Sequence, residues 1–145
     1  MNPNLFLVRH LPGAGATTLA RYLAGANYAA DDFFENPCGG YHFDPKQLSR
    51  AHDACKSRAL HTMQCRGDLA VHNTFTEGWE LAPYVRMAED HGYVVVVVDL
   101  FDAGMTDGEL AERNIHSVPQ EVIASMRERW EHDWRSADPR PPWER

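Results

Sequence analysis

Val94 to Val98 are five consecutive valines, and no other stretch of the chain restricts its fold so tightly. Branching at Cβ stiffens each side chain and favours extended backbone. A run that is apolar at every position suits a strand covered on both faces, as in the interior of a parallel sheet. The expectation is a strand over 93–98 in the middle of a sheet, with helices packed on either side.

The rest of the chain alternates around it. Leu5–Val8 is a short apolar run closed by a Pro/Gly segment, which reads as a first strand, and 17–24 follow as a helix. Residues 27–30 form a second short strand ahead of an acidic and aromatic cluster at 31–35, and 36–43 are a loop. Asp44-Pro45 starts a helix in which Leu48, Ala51, Cys55, Ala59 and Met63 recur at helical spacing until Gly67. A third strand over 68–72 and a helix over 77–91 precede the valines. Thr106-x-x-Glu109 and Ser117-x-x-Gln120 fit the capping box and open two more helices. The second of these carries Val122, Met126, Trp130 and Trp134 on a stripe expected to pack on the sheet. The order of elements specifies an α/β domain with a mostly parallel sheet over 1–135 and a proline-rich tail over 136–145, extended or mobile. In such a sheet ligands collect at the carboxyl ends of the strands, here after residues 8, 30, 72 and 98.

Composition narrows the function classes. With 145 residues the chain is one domain of ordinary size, and a hydrophobic fraction of 43% excludes general disorder. Cys38, Cys55 and Cys65 match neither a CxxC pair nor a disulfide framework, so reduced thiols are expected. No apolar run approaches the ~20 residues of a membrane helix, and the start lacks the pattern of a signal peptide. A cytoplasmic protein with no membrane partner is expected. The net charge of −7 argues against a broad basic face that coats nucleic acid, though not against a local site. His52, Cys55, His61 and Cys65 suggest zinc by residue type, but they lie at different angles around one helix, so no metal centre is expected there.

The first strand runs into His10-Leu11-Pro12-Gly13-Ala14-Gly15-Ala16-Thr17-Thr18. Against the phosphate loop GxxxxGK[ST], Gly15 and Thr17 match, whereas the first glycine is His10 and the lysine is Ala16. A strand, a tight glycine turn and a helix start still aim backbone amides at one point, as an anion requires. Gly13, Ala14, Gly15, Ala16, Thr17 and Thr18 are therefore the nucleotide-binding candidates, with Thr17 the candidate ligand of Mg²⁺. Losing the lysine removes an electrostatic donor of a kind that contributes about 10²- to 10³-fold in rate. Two origins of Ala16 stand open: natural loss of activity, with an arginine covering the charge, or a deliberate Lys→Ala inactivation.

Four segments in order, LVRHLPGAGATTLARYLA, AADDFFENPCGGYHFDP, LAVHNTFTEGWELAPYVRMAEDHGY and LAERNIHSVPQEVIASMRERW, resemble the polynucleotide-kinase-like P-loop kinases of phages and their cellular relatives. Within that group they look closest to the phage 5-hydroxymethyluracil DNA kinases. The resemblance covers about residues 4 to 130. It implies a three-layer P-loop NTPase fold, use of ATP and Mg²⁺, and transfer of phosphate to a hydroxyl on DNA carrying a modified base. Two alternatives remain, a non-catalytic nucleotide- or nucleic-acid-binding module and a kinase for DNA 5′-hydroxyl ends or a small alcohol.

The resemblance also implies roles for residues. Asp31 falls where these kinases place the carboxylate that deprotonates the acceptor hydroxyl, and of Asp31 and Asp32 one is expected to cap while the other acts. Arg113 lies in the lid-like region as the candidate clamp on the phosphates, with Arg127 and Arg129 behind it. The position after Asp32-Phe33 is Phe34 rather than an arginine, which weakens the case for a DNA-end phosphate. His72 replaces an acidic residue beside Asn73. A base drawn out of the stack needs flat side chains around it, and Phe33, Phe34, Tyr41, Phe43, Phe75 and Trp79 cluster beside these loops. Asp32, Phe33, Phe34, Asn73 and Trp79 are the substrate-side candidates.

Overall fold

A computed structural model describes all residues, 1–145. Strands β1 (Asn4–His10), β2 (Ala26–Tyr28), β3 (Leu69–Asn73) and β4 (Val94–Phe101) form one parallel sheet in the order β2-β3-β1-β4. The helices are α1 (Ala16–Leu23), α2 (Leu48–Gln64), α3 (Gly78–His91), α4 (Asp107–Arg113) and α5 (Gln120–Glu128), with short 3-10 turns at Ala30–Phe34, Pro45–Gln47, Trp134–Ser136 and Pro142–Glu144.

Three layers result. Leu5, Leu7, Leu69 and Val71 meet Cys55, Ala59 and Met63 of α2 and Leu81, Tyr84 and Ala88 of α3, so the helical spacing read in the sequence is the buried face from Ala51 onward, while Leu48 at the helix start is 40% exposed. On the opposite face Ala20 and Ala24 pack on Ala70. Small residues bring α1 close to β1 and β3. Leu11, Ala14, Leu110, Ile123 and Trp130 form a separate cluster that seats α4 and α5 against the loop after β1.

The expectation for the valine strand is half right. It is a strand, but it lies at the sheet edge, paired to β1 alone from Asn4↔Val94 to Val8↔Val98. Val95 and Val97 pack on the α2/α3 core, whereas Val94 and Val96 remain 45% and 37% exposed. An apolar run reports extended backbone and dry neighbours; it does not report position in the strand order.

Other boundaries differ for local reasons. Thr106 caps α4 as read, accepting the Glu109 amide. Ser117 caps nothing: it sits at φ 57, and α5 starts after Pro119. α5 ends at Glu128, so Trp130 and Trp134 lie beyond it, and its inward stripe is Ile123 and Met126 in place of Val122, which is 40% exposed. The tail, expected to be extended or mobile, leaves the 3-10 turn at Trp134–Ser136, turns again at Pro142–Glu144 and folds back. A Cβ on Gly78 would lie 2.5 Å from the Trp134 carbonyl oxygen, and Trp143 meets Trp79 edge-on with centroids 5.2 Å apart.

Candidate functional site

β1 ends at His10, and the chain turns through Gly13 (φ 88) and Gly15 (φ 91) into α1. L side chains rarely adopt this left-handed conformation. At Gly13 space forbids one as well, because a Cβ would lie 2.5 Å from the Leu110 carbonyl oxygen. At Gly15 nothing stands within 4 Å of that position. Only Ala14 among the loop amides donates inward, to Leu11. The amides of Gly13, Gly15, Ala16, Thr17 and Thr18 donate to no protein acceptor. They point out of a glycine turn at the positive end of α1, an arrangement that suits the oxygens of a polyphosphate. The Thr17 side chain is exposed at this end of the helix, where a hydroxyl can join a Mg²⁺ shell. Ala16 is 3% exposed, and its methyl group supplies no charge. The residues fit a bound phosphate chain through its hydrogen bonds and leave out the usual cation.

The acceptor-side candidates come from the ends of β2 and β3. The two adjacent aspartates divide their duties. Asp32 Oδ2 accepts the Ala29 amide at 2.9 Å and pairs with Arg58 at 3.4 Å, so it closes the 3-10 turn. Asp31 points elsewhere, with Oδ1 accepting the Tyr41 hydroxyl at 2.8 Å and Oδ2 3.2 Å from His116 Nδ1. Asn73 is buried, with Oδ1 accepting the Ala30 amide at 2.8 Å and Nδ2 facing Cys55 Sγ at 3.9 Å. It therefore fixes the residue next to Asp31.

Histidines stand at two positions beside the site, His10 in place of the first glycine of the phosphate loop and His72 near the end of β3. His10 and His72 have ring centroids 6.3 Å apart, and His10 Nδ1 lies 2.9 Å from the Leu11 carbonyl oxygen. Burial holds His10 down to about 4 and lowers His72 as well, so both rings are neutral at pH 7. A neutral imidazole cannot supply the charge that Ala16 lacks.

The aromatic candidates separate. Phe34 is core, packed with Ala30, Ala51 and Tyr41, while Phe33 and Phe43 stand edge-on to it with 41% and 51% exposure. Trp79 belongs to the tail contact with Trp143, and its indole N–H donates to Glu77 at 3.2 Å. Arg113 is exposed at the last turn of α4. Arg127 is occupied by Asp102, Asp107 and the Met105 carbonyl, and Arg129 by the Thr76 hydroxyl. Of the three arginines, Arg113 has the side chain with no such engagement.

Sequence reasoning missed His116. Its ring stacks on Tyr41 at 4.0 Å with a 12° interplanar angle, which joins the loop before α5 to the loop after β2. The one signal was its place in the segment RNIHSVP, where the arginine drew attention first. No group of three or more His, Cys, Asp or Glu side chains is arranged to hold a metal ion, and no helix is long and apolar enough to cross a membrane.

No family model matches the chain. Human NEDD4-binding protein 2 is 36% identical over 138 residues, spanning 88% of this chain and 8% of that protein. The chain is thus similar to a small part of a much longer relative. Among solved structures, a chain of the Pnkp1/Rnl/Hen1 complex superposes with a TM-score of 0.61 at 19% identity, covering 77% of this chain and 39% of that one. A candidate kinase from Chloroflexus aurantiacus gives 0.65 at 17% identity, covering 89% and 77%. The three-layer α/β architecture with its parallel sheet is the P-loop kinase fold.

Proposed function

We propose that the chain is an ATP-dependent phosphotransferase acting on a hydroxyl of DNA, with the hydroxymethyl group of 5-hydroxymethyluracil as acceptor, and that Ala16 leaves it slow. The observation that carries this reading is the release of Asp31 from capping. Asp32 alone closes the turn, and Asp31 is directed away from it, its carboxylate held between the Tyr41 hydroxyl and His116 Nδ1.

The residues then have distinct tasks. The free amides from Gly13 to Thr18 hold the phosphate chain, and Thr17 contributes its hydroxyl to the metal shell. Mg²⁺, when bound, neutralises charge on the phosphate oxygens. Asp31 takes the proton of the acceptor hydroxyl as that oxygen bonds to the γ-phosphorus; the bond from phosphorus to the β,γ-bridging oxygen breaks, and ADP leaves. Arg113, unoccupied on α4, is the candidate to reach the phosphates. Phe33 and Phe43 offer exposed flat faces to a base, a contact worth about 1–3 kcal/mol per base. The net charge of −7 is compatible with this reading, because one flipped base needs a small pocket and no basic face.

A second reading, a nucleotide-binding module without turnover, is favoured by Ala16 itself. The two separate on the acceptor panel. An Ala16→Lys variant is offered labelled ATP with duplex DNA containing 5-hydroxymethyluracil, with DNA bearing free 5′-hydroxyl ends, and with a free nucleoside. Label on the modified base supports the proposal. Label on the ends or on the nucleoside moves the acceptor, and ATP binding with no transfer to any of the three leaves the binding module.

A further inference from the structure

We propose that His116 is a positioning residue for the acceptor side of this site, holding Asp31 jointly with Tyr41 and controlling through its own charge whether Asp31 Oδ2 is free to accept a proton. This rests on the kinase reading above, in which Asp31 is the base.

Three contacts close a triangle. The Tyr41 hydroxyl donates to Asp31 Oδ1 at 2.8 Å, His116 Nδ1 lies 3.2 Å from Oδ2, and the two rings stack at 4.0 Å. Both carboxylate oxygens are therefore engaged, one by a phenol hydroxyl and one by an imidazole nitrogen. The Tyr41 phenol is pushed well above its ordinary value by burial and by the hydrogen bond to Asp31, so it donates throughout.

The loop that presents His116 is fixed. Asn114 Oδ1 accepts the Val118 amide at 2.8 Å, and its Nδ2 donates to the carbonyls of Leu110, Ala111 and Val118. Ser117 is held at φ 57 within the same turn. The ring is 21% exposed. Its titratable and charged neighbours are Asp31 and Tyr41 from the loops after β2, His10 from the end of β1 and His72 from β3. The last two are neutral at pH 7, so Asp31 is the anion against the ring.

The consequence is a sign. A protonated His116 pairs with Oδ2 and lowers its basicity, which blocks the oxygen that must take the proton. A neutral ring releases it while Tyr41 keeps the carboxylate in place. Acceptor-dependent turnover should rise as pH increases through the imidazole range, with little change in ATP affinity.

Two measurements test this. On the unaltered chain, the His116 ring is titrated by NMR with and without Asp31→Asn. Pairing predicts a lower midpoint in the variant, from loss of the carboxylate 3.2 Å from the ring. An unchanged midpoint overturns the proposal. In the Ala16→Lys background, turnover should rise about tenfold from about pH 6 to about pH 8, and His116→Gln should flatten that rise to about twofold with KM for ATP unchanged. Persistence of the full rise in His116→Gln overturns the positioning role. Absence of transfer to every acceptor overturns the kinase reading and the positioning role with it, and the NMR titration then reports separately whether His116 and Asp31 pair.

Discussion

The guanidinium of Arg9 lies 4.2 Å from the centre of the Trp130 ring, with no surface exposed to solvent. It donates to the Phe75 carbonyl from Nε and Nη2, to the Thr76 carbonyl, and from Nη1 to the Glu131 carbonyl, and it pairs with Asp99 at 3.3 Å. One side chain on β1 thus ties the loop after β3, the end of β4 and the segment after α5. The first prediction follows from its planar fork. Arg9→Lys keeps the charge but cannot stack on Trp130 and serve three carbonyls, so it should cost about 2–4 kcal/mol, approaching the loss of a buried ionic partner. Urea unfolding measures this, and a loss below about 0.5 kcal/mol would contradict it.

A second prediction concerns Gly13. Its φ of 88 and the Leu110 carbonyl oxygen 2.5 Å from any Cβ act together, and the nearest atoms are all Leu110 backbone. Gly13→Ala should cost about 2–4 kcal/mol and pull α4 away from the loop, whereas Gly15→Ala, with open space around it, should cost about 1 kcal/mol from strain alone. Thermal melting of the pair reads the difference. Equal losses would mean that the close approach to α4 is not tight.

Asn73 supplies a third. Its Oδ1 satisfies the buried Ala30 amide, and Asn73→Ala leaves that donor without a partner beside Asp31. The expected loss is about 1–3 kcal/mol of stability, accompanied in the Ala16→Lys background by a fall in turnover larger than the rise in KM for ATP. A variant with lowered stability and intact kcat would leave Asn73 a structural residue only.

The helices and the phosphate loop were legible because local rules decide them. The α2 stripe of Ala51, Cys55, Ala59 and Met63 and the Thr106 cap are set by period and capping chemistry. Strand order was not legible: Val94–Val98 lies at an edge because β1, with Leu5, Leu7 and Val8 fully buried, takes the centre, and no local signal ranks two apolar runs. Within the site, Asp31 could be singled out from sequence but its partners could not. Tyr41 and His116 are 75 positions apart, and only the seating of α4 and α5 on Leu11 and Ala14 brings them together.

A fourth prediction comes from the partly buried His10. Burial lowers its ring from 6.5 to about 4. The unfolded chain therefore takes up this proton at higher pH than the folded one, so stability is complete above about 6.5 and declines as pH falls toward 4. His72 and His52, also lowered by burial, act in the same direction. His10→Gln should remove about 1–3 kcal/mol of the acid-side loss, seen as a smaller drop in Tm between about pH 7.5 and about pH 4.5. An identical drop in parent and variant would show that His10 protonates as easily folded as unfolded.

On the proposed function, the chain retains a phosphoryl-transfer site deprived mainly of one cation. The most direct measurement is the rate of label transfer from ATP to 5-hydroxymethyluracil DNA by the parent and by Ala16→Lys, each with and without Asp31→Asn. Restoring the cation should raise the rate by about 10²-fold or more, and Asp31→Asn should remove that gain while ATP still binds. Tight ATP binding by Ala16→Lys with no transfer, or transfer indifferent to Asp31→Asn, would contradict the account.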